Sequence, residues 1–247
     1  MMKIKMTVLF FALSLIFSSP SFASWNWIKK NIGKFTEEQT EVIKQTSLSE
    51  TEIGQGLKEA LKVGINNAVS AVSKSGGYFQ NEDIKIPLPK QLEFLDRTLR
   101  RINMGDQIDD FVLSMNKAAE SAAPAARDIF LDILFEMNIE DAQKVFQGGD
   151  TAATEYFKSK TYDQLADAFR PTVDKTLKEY DVTDHYETLI EKYKTIPFAN
   201  KVNMLSPDEY VITKALDGLF FVLGQEEAKI RKNPAARITD ILKKVFK

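Results

Sequence analysis

Chemistry in this chain would fall first to carboxylates, because cysteine is absent and histidine nearly so. There is no cysteine and only one histidine, His185. Without cysteine there is no thiol nucleophile, no thiolate metal site and no lipid-bearing residue of a bacterial lipoprotein. One histidine excludes a zinc site built on several, and the paired Glu-x-x-His motifs of a di-iron bundle are missing. His185 lies in Asp181-Val182-Thr183-Asp184-His185-Tyr186, a polar helix start, and no Gly-x-Ser-x-Gly elbow offers it a nucleophile. Phosphate-loop and dinucleotide glycine fingerprints are also missing. Asp106, Asp109 and Asp110 lack the spacing of a calcium loop and read as first-turn acids on a helix dipole. The sequence therefore assigns no catalytic residue, no metal and no cofactor.

Three polar residues remain as candidates for binding a ligand: Asn116, Glu120 and Asp217. Asp217 sits in Ala215-Leu216-Asp217-Gly218-Leu219-Phe220-Phe221-Val222-Leu223, an almost continuous apolar run. A helix apolar all round is usually buried. A buried carboxylate must then be paired, hydrogen-bonded or protonated. The expected role is an interior ion pair or helix cap, with Arg231 and Arg237 as partners; ligand binding is the alternative. Asn116 and Glu120 are four apart and share a helix face beside Ala118, Ala119, Ala122 and Ala123. Either Glu120 tops a tight helix contact, paired to Arg127, or the two residues point a donor and an acceptor into a cleft. Glu226, Glu227 and Arg231 have the spacing of a solvated charged face.

The elements that would position these residues read as helices. Capping-box starts occur at Thr36-Glu37-Glu38-Gln39, Ser49-Glu50-Thr51-Glu52 and Thr161-Tyr162-Asp163-Gln164. Ser206-Pro207-Asp208-Glu209 adds proline at the first helical position, and Asn233-Pro234 is a further start. Stops fall at Gly76-Gly77, closing a segment from Ser49, at Gly105, closing one from Pro89, and at Gly148-Gly149, closing one from Asn138. Apolar residues step by three or four at Ile53, Leu57, Leu61, Gly64 and Ala68, at Leu92, Leu95 and Leu99, and at Ile238, Ile241, Leu242 and Val245. The one strand-like stretch, Ile84-Lys85-Ile86-Pro87-Leu88-Pro89, carries two prolines that bar it from a sheet interior. The expectation is all-α: a single multi-helix domain of about ten helices, with an extended Pro-containing loop.

The first 23 residues read as an address. Lys3 and Lys5 form a basic start, an apolar run follows from 6 to 17, and Ser21 and Ala23 are the small residues before a cut. This is the three-part secretory pattern, with cleavage after Ala23 and a periplasmic or secreted destination. Residues 24–47 read as an amphipathic helical extension and 48–247 as the domain. In the extension, Trp25, Ile28, Ile32 and Phe35 make one stripe, while Trp27, Lys29 and Lys30 add interfacial and basic character. That mixture suits peripheral contact with an anionic membrane, or docking on the domain, or a flexible extension. The formal charge is −2, or −4 once Lys3 and Lys5 leave with the leader, which argues against nucleic acid as a partner.

Several blocks together carry a family resemblance. They are Gly56-Leu57-Lys58-Glu59-Ala60-Leu61 with Gly64, and Gly76-Gly77-Tyr78-Phe79 followed by residues 84 to 89. Next come Met115-Asn116-Lys117-Ala118-Ala119-Glu120 with Ala122-Ala123-Pro124, and Gly148-Gly149-Asp150 leading to Ala153-Thr154-Glu155-Tyr156-Phe157. The C-terminal blocks are Ala215-Leu216-Asp217-Gly218-Leu219-Phe220, Glu226-Glu227, Ile230-Arg231 and Asn233-Pro234-Ala235-Ala236-Arg237, ending in Leu242-Lys243-Lys244-Val245-Phe246. Over roughly residues 48 to 247 the chain resembles the exported bacterial proteins that carry domain of unknown function 4197. Ile238 departs from the threonine more typical there. The resemblance implies an exported, mostly helical domain and supplies no activity.

Function is therefore expected from class. The leading expectation is a non-enzymatic binding or interaction module of the cell envelope, taking an unknown protein or an apolar small ligand between helices. The alternatives are a carboxylate-dependent hydrolase or lyase using Asp217 or Glu120, and a purely structural envelope component.

Overall fold

In a computed structural model, residues 50–101, 105–179 and 206–232 are described, all within the unit Leu48–Lys247. The leader, the Trp25 stripe, the Thr36 start, His185, Arg237 and the Ile238 stripe lie outside the described residues. Within them every regular element is helical: α1 (Glu50–Ser73), α2 (Glu93–Arg101), α3 (Gly105–Ala122), α4 (Ala126–Glu136), α5 (Ile139–Gln147), α6 (Ala152–Glu179) and α7 (Pro207–Lys232). Single 3-10 turns at Lys90–Leu92 and Ala123–Ala125 lead into α2 and α4.

The all-helical class agrees with the sequence, but about ten helices was too many. The described residues hold seven α-helices, of which five are eleven residues or longer. One reason is Thr161, whose capping-box spacing sits in the interior of α6 rather than at a start. Its hydroxyl is buried and donates to the Phe157 carbonyl at 2.8 Å, four residues back. That satisfies the side chain without opening the helix. Pro171 also lies inside α6 without ending it. Gly105 was read as a stop, yet it begins α3.

Other signals fall where expected. Asn138 caps α5, its side-chain oxygen accepting the Asp141 N–H at 2.8 Å, and α7 opens at Pro207. Gly76, at φ +77°, turns the chain after α1 in a conformation that costs L-residues but not glycine. Beyond it the chain runs over residues 85–89 without regular structure, as two prolines require.

α7 lies against α6, α1 and α3, while α1 also covers α4 and α5. The stripe Leu57, Leu61, Ile65, Ala68 and Val72 of α1 is buried against these partners. At the centre, Phe130 of α4 meets Phe157 of α6 and Phe220 of α7 edge-on, with ring centres 5.6 Å and 5.8 Å apart. Edge-to-face pairs of this kind add to the burial of the rings themselves. Gly218 permits one close approach: a Cβ there would stand 2.7 Å from the Tyr78 ring.

A candidate site of buried carboxylates

Among the described residues, two carboxylates are buried: Glu120 and Glu227, at 7% and 4% exposure. Each is fully engaged. Glu120, on α3, accepts the backbone N–H of Gly76 on one oxygen at 3.1 Å. Its other oxygen accepts those of Tyr78 and Phe79 at 3.1 Å and 3.2 Å. One turn earlier, Asn116 brackets Ile86, accepting its N–H at 2.8 Å and donating to its carbonyl at 2.9 Å. The second Asn116 amide hydrogen goes to the Val112 carbonyl at 2.8 Å.

The shared face of Asn116 and Glu120 thus holds the chain between α1 and α2 rather than lining an open cleft. Arg127 is not the partner of Glu120; its guanidinium donates to the Ser70 hydroxyl at 3.4 Å. The same loop is tied to α7, where the Tyr78 hydroxyl donates to the Ala215 carbonyl at 2.7 Å. Burial, and secondarily the Glu120 carboxylate, hold the Tyr78 phenol well above its ordinary value of 10.0. Folding therefore favours the protonated phenol. The resulting stability is fully present below the unfolded value and is lost progressively as pH rises from there toward the higher folded value. Alkaline titration followed by circular dichroism should show stability falling above about pH 10, with less loss in Tyr78→Phe.

Asp217 is corrected by the structure. It is exposed, its side chain 48% accessible, and its partner is Lys214 at 3.4 Å, not Arg231. Helical phase explains this. Leu216, Phe220, Leu223, Glu227 and Ile230 step by three or four along the buried stripe of α7. Asp217 falls on another stripe, with exposed Phe221. Asp217→Asn should leave the melting temperature nearly unchanged, within about 0.5 kcal/mol of wild type, because exposed pairs of this type contribute little. A large loss on thermal unfolding would contradict this placement.

The buried acid of α7 is Glu227, which the sequence suggested lay on a solvated face. Its membership of the Leu216–Ile230 stripe was the available signal. One oxygen accepts the Ala153 N–H at 2.8 Å; the other accepts the Thr154 N–H and hydroxyl, each at 2.8 Å. Glu227 therefore caps the start of α6 from a different helix, satisfying N–H groups that have no partner within α6. It also pairs with Arg231 at 2.8 Å. Arg231 in turn donates to the carbonyls of Val145 and Phe146 at the end of α5, at 2.8 Å and 3.2 Å. Lys232 pairs with Asp150 in the intervening turn. One acid and one base on α7 thus hold both ends of the α5–α6 connection.

Chemically, this arrangement restricts what the buried groups can do. Both carboxylates are engaged by groups of their own chain. A cleft lined by Leu61, Gly64, Thr154, Phe157, Glu227 and Ile230 has a volume of about 10 Å³. That is room for about one water. Among the described residues no group of three or more acids or histidines is placed to hold a metal. Nor is any of their helices long and apolar enough to cross a membrane.

The family description "Protein of unknown function (DUF4197)" matches residues 47–247. No curated protein and no solved structure matches the chain.

Proposed function

We propose that this chain, which belongs to the DUF4197 family of proteins of unknown function, is an exported, non-enzymatic interaction module of the cell envelope. Export rests on the secretory pattern of residues 1–23. The observation that carries the rest is the use of the two buried carboxylates. Glu120 and Glu227 accept from backbone N–H groups of their own chain. A general acid or nucleophile must instead face its substrate. On this reading the partner is a protein, met at the surface of the helical domain.

In-cell photo-crosslinking tests this reading. Photoreactive residues placed singly at exposed positions of α4, α5, α6 and α7 should give a discrete protein adduct from one face and none from the others. Adducts absent from every face, in cells that export the chain, would contradict it.

A further inference from the structure

α4 and α5 meet at a corner where two large apolar side chains stand in solvent: Phe135 at 65% exposure and Ile139 at 50%. Single exposed apolar residues are ordinary on protein surfaces. These two are flanked along the same ridge by Asp128, Asp132, Glu136 and Glu140, all exposed. The spacing 128, 132, 136 is four residues at each step, so these acids share one face of α4 over about 12 Å.

The nearby bases reach Glu140 and the Phe135 backbone but not the three acids of α4. Lys144 pairs with Glu140 at 2.8 Å, and Lys58 donates to the Phe135 carbonyl at 3.3 Å. Among the described residues, Asp128, Asp132 and Glu136 have no basic partner.

We infer that the α4–α5 ridge docks a cationic amphipathic helix of a partner protein, a statement that rests on the interaction-module reading and names its partner's chemistry. The apolar stripe of such a helix covers Phe135 and Ile139. Its Lys or Arg residues, recurring at four-residue spacing, meet Asp128, Asp132 and Glu136. An anionic membrane surface or a nucleic acid would be repelled by the same acids. The footprint is small, so the contact is a weak, salt-sensitive one.

The test uses the mature chain and, as probe, a labelled synthetic leucine–lysine amphipathic helix, with a leucine–glutamate helix as control. Fluorescence anisotropy should show binding of the lysine probe alone, fading at high salt. Phe135→Asp, or Asp132→Lys with Glu136→Lys, should weaken binding by at least about tenfold. Asp163→Lys with Asp167→Lys, on exposed positions of α6, should not. All these side chains are exposed, and unchanged thermal melts would verify folding. Equal binding by the ridge variants and wild type, or no binding, would overturn the ridge assignment. So would a wild-type dimer that Phe135→Asp abolishes, because the ridge would then belong to a second copy. In-cell adducts that map to a different face would sink the ridge while leaving the interaction-module reading standing.

Discussion

Glu227→Ala should be strongly destabilising, lowering stability by about 3–5 kcal/mol. The change takes its carboxylate partner from Arg231, whose side chain is only 12% exposed. The change also leaves the N–H groups of Ala153 and Thr154 without their acceptor. For a domain of this size, a loss of that magnitude corresponds to a fall in melting temperature of roughly 10 °C. A double substitution separates the causes. If attraction between Glu227 and Arg231 were the whole effect, Glu227→Leu with Arg231→Leu would recover most of the loss, as apolar replacements of buried pairs often do. Here recovery should be small, because the carbonyls of Val145 and Phe146 also lose a donor. Calorimetry on the single and double variants measures both quantities.

Glu120→Ala should cost about 2–4 kcal/mol, since three backbone N–H groups lose a charged acceptor and each unsatisfied group costs about 1–3 kcal/mol before water compensates. Gly76 and Phe79 are half-buried, so water can reach part of the vacated site. Glu120→Gln should fall between the variant and wild type. Its carbonyl oxygen can still serve Tyr78 and Phe79, while its amide would face the Gly76 N–H donor to donor. The effect should be local as well as global. Lys74 and Lys85 flank the loop that Glu120 holds, and trypsin should cut there in Glu120→Ala well before it cuts wild type. Equal digestion of the two proteins would mean that Asn116 and Tyr78 hold the loop without Glu120.

These two acids also mark what the sequence made legible. The helical class was readable because starts such as Ser206-Pro207 and stops such as Gly76-Gly77 act within a few residues of themselves. The end of α5 at Gly148 and the start of α7 at Pro207 followed from the same local signals. Thr161 misled because a hydroxyl four residues after a carbonyl can bond back into its own helix, and capping-box spacing alone does not distinguish that case from a start. Asn116 and Glu120 were visible as a shared polar face among alanines. What they bind was not visible, because their partners, Ile86 and residues 76 to 79, lie thirty or more residues away in sequence.

Asp217 and Glu227 exchanged roles for a different reason. An apolar neighbourhood along the sequence suggested burial for Asp217, but a helix buries a stripe, and burial follows phase. Counting from Leu216 by three and four reaches Glu227 and misses Asp217. The close approach at Gly218 was likewise written only as a glycine in an apolar run. Its meaning depends on Tyr78, brought across from a loop that propensity cannot place.

The interaction-module account is tested most directly by native mass spectrometry of the chain, purified gently at low salt from the cells that make it. The account predicts a species heavier than the chain by the mass of a second polypeptide, dissociating to the bare chain as salt is raised. A bare chain under every mild condition, or a retained small molecule in place of a protein, would contradict it.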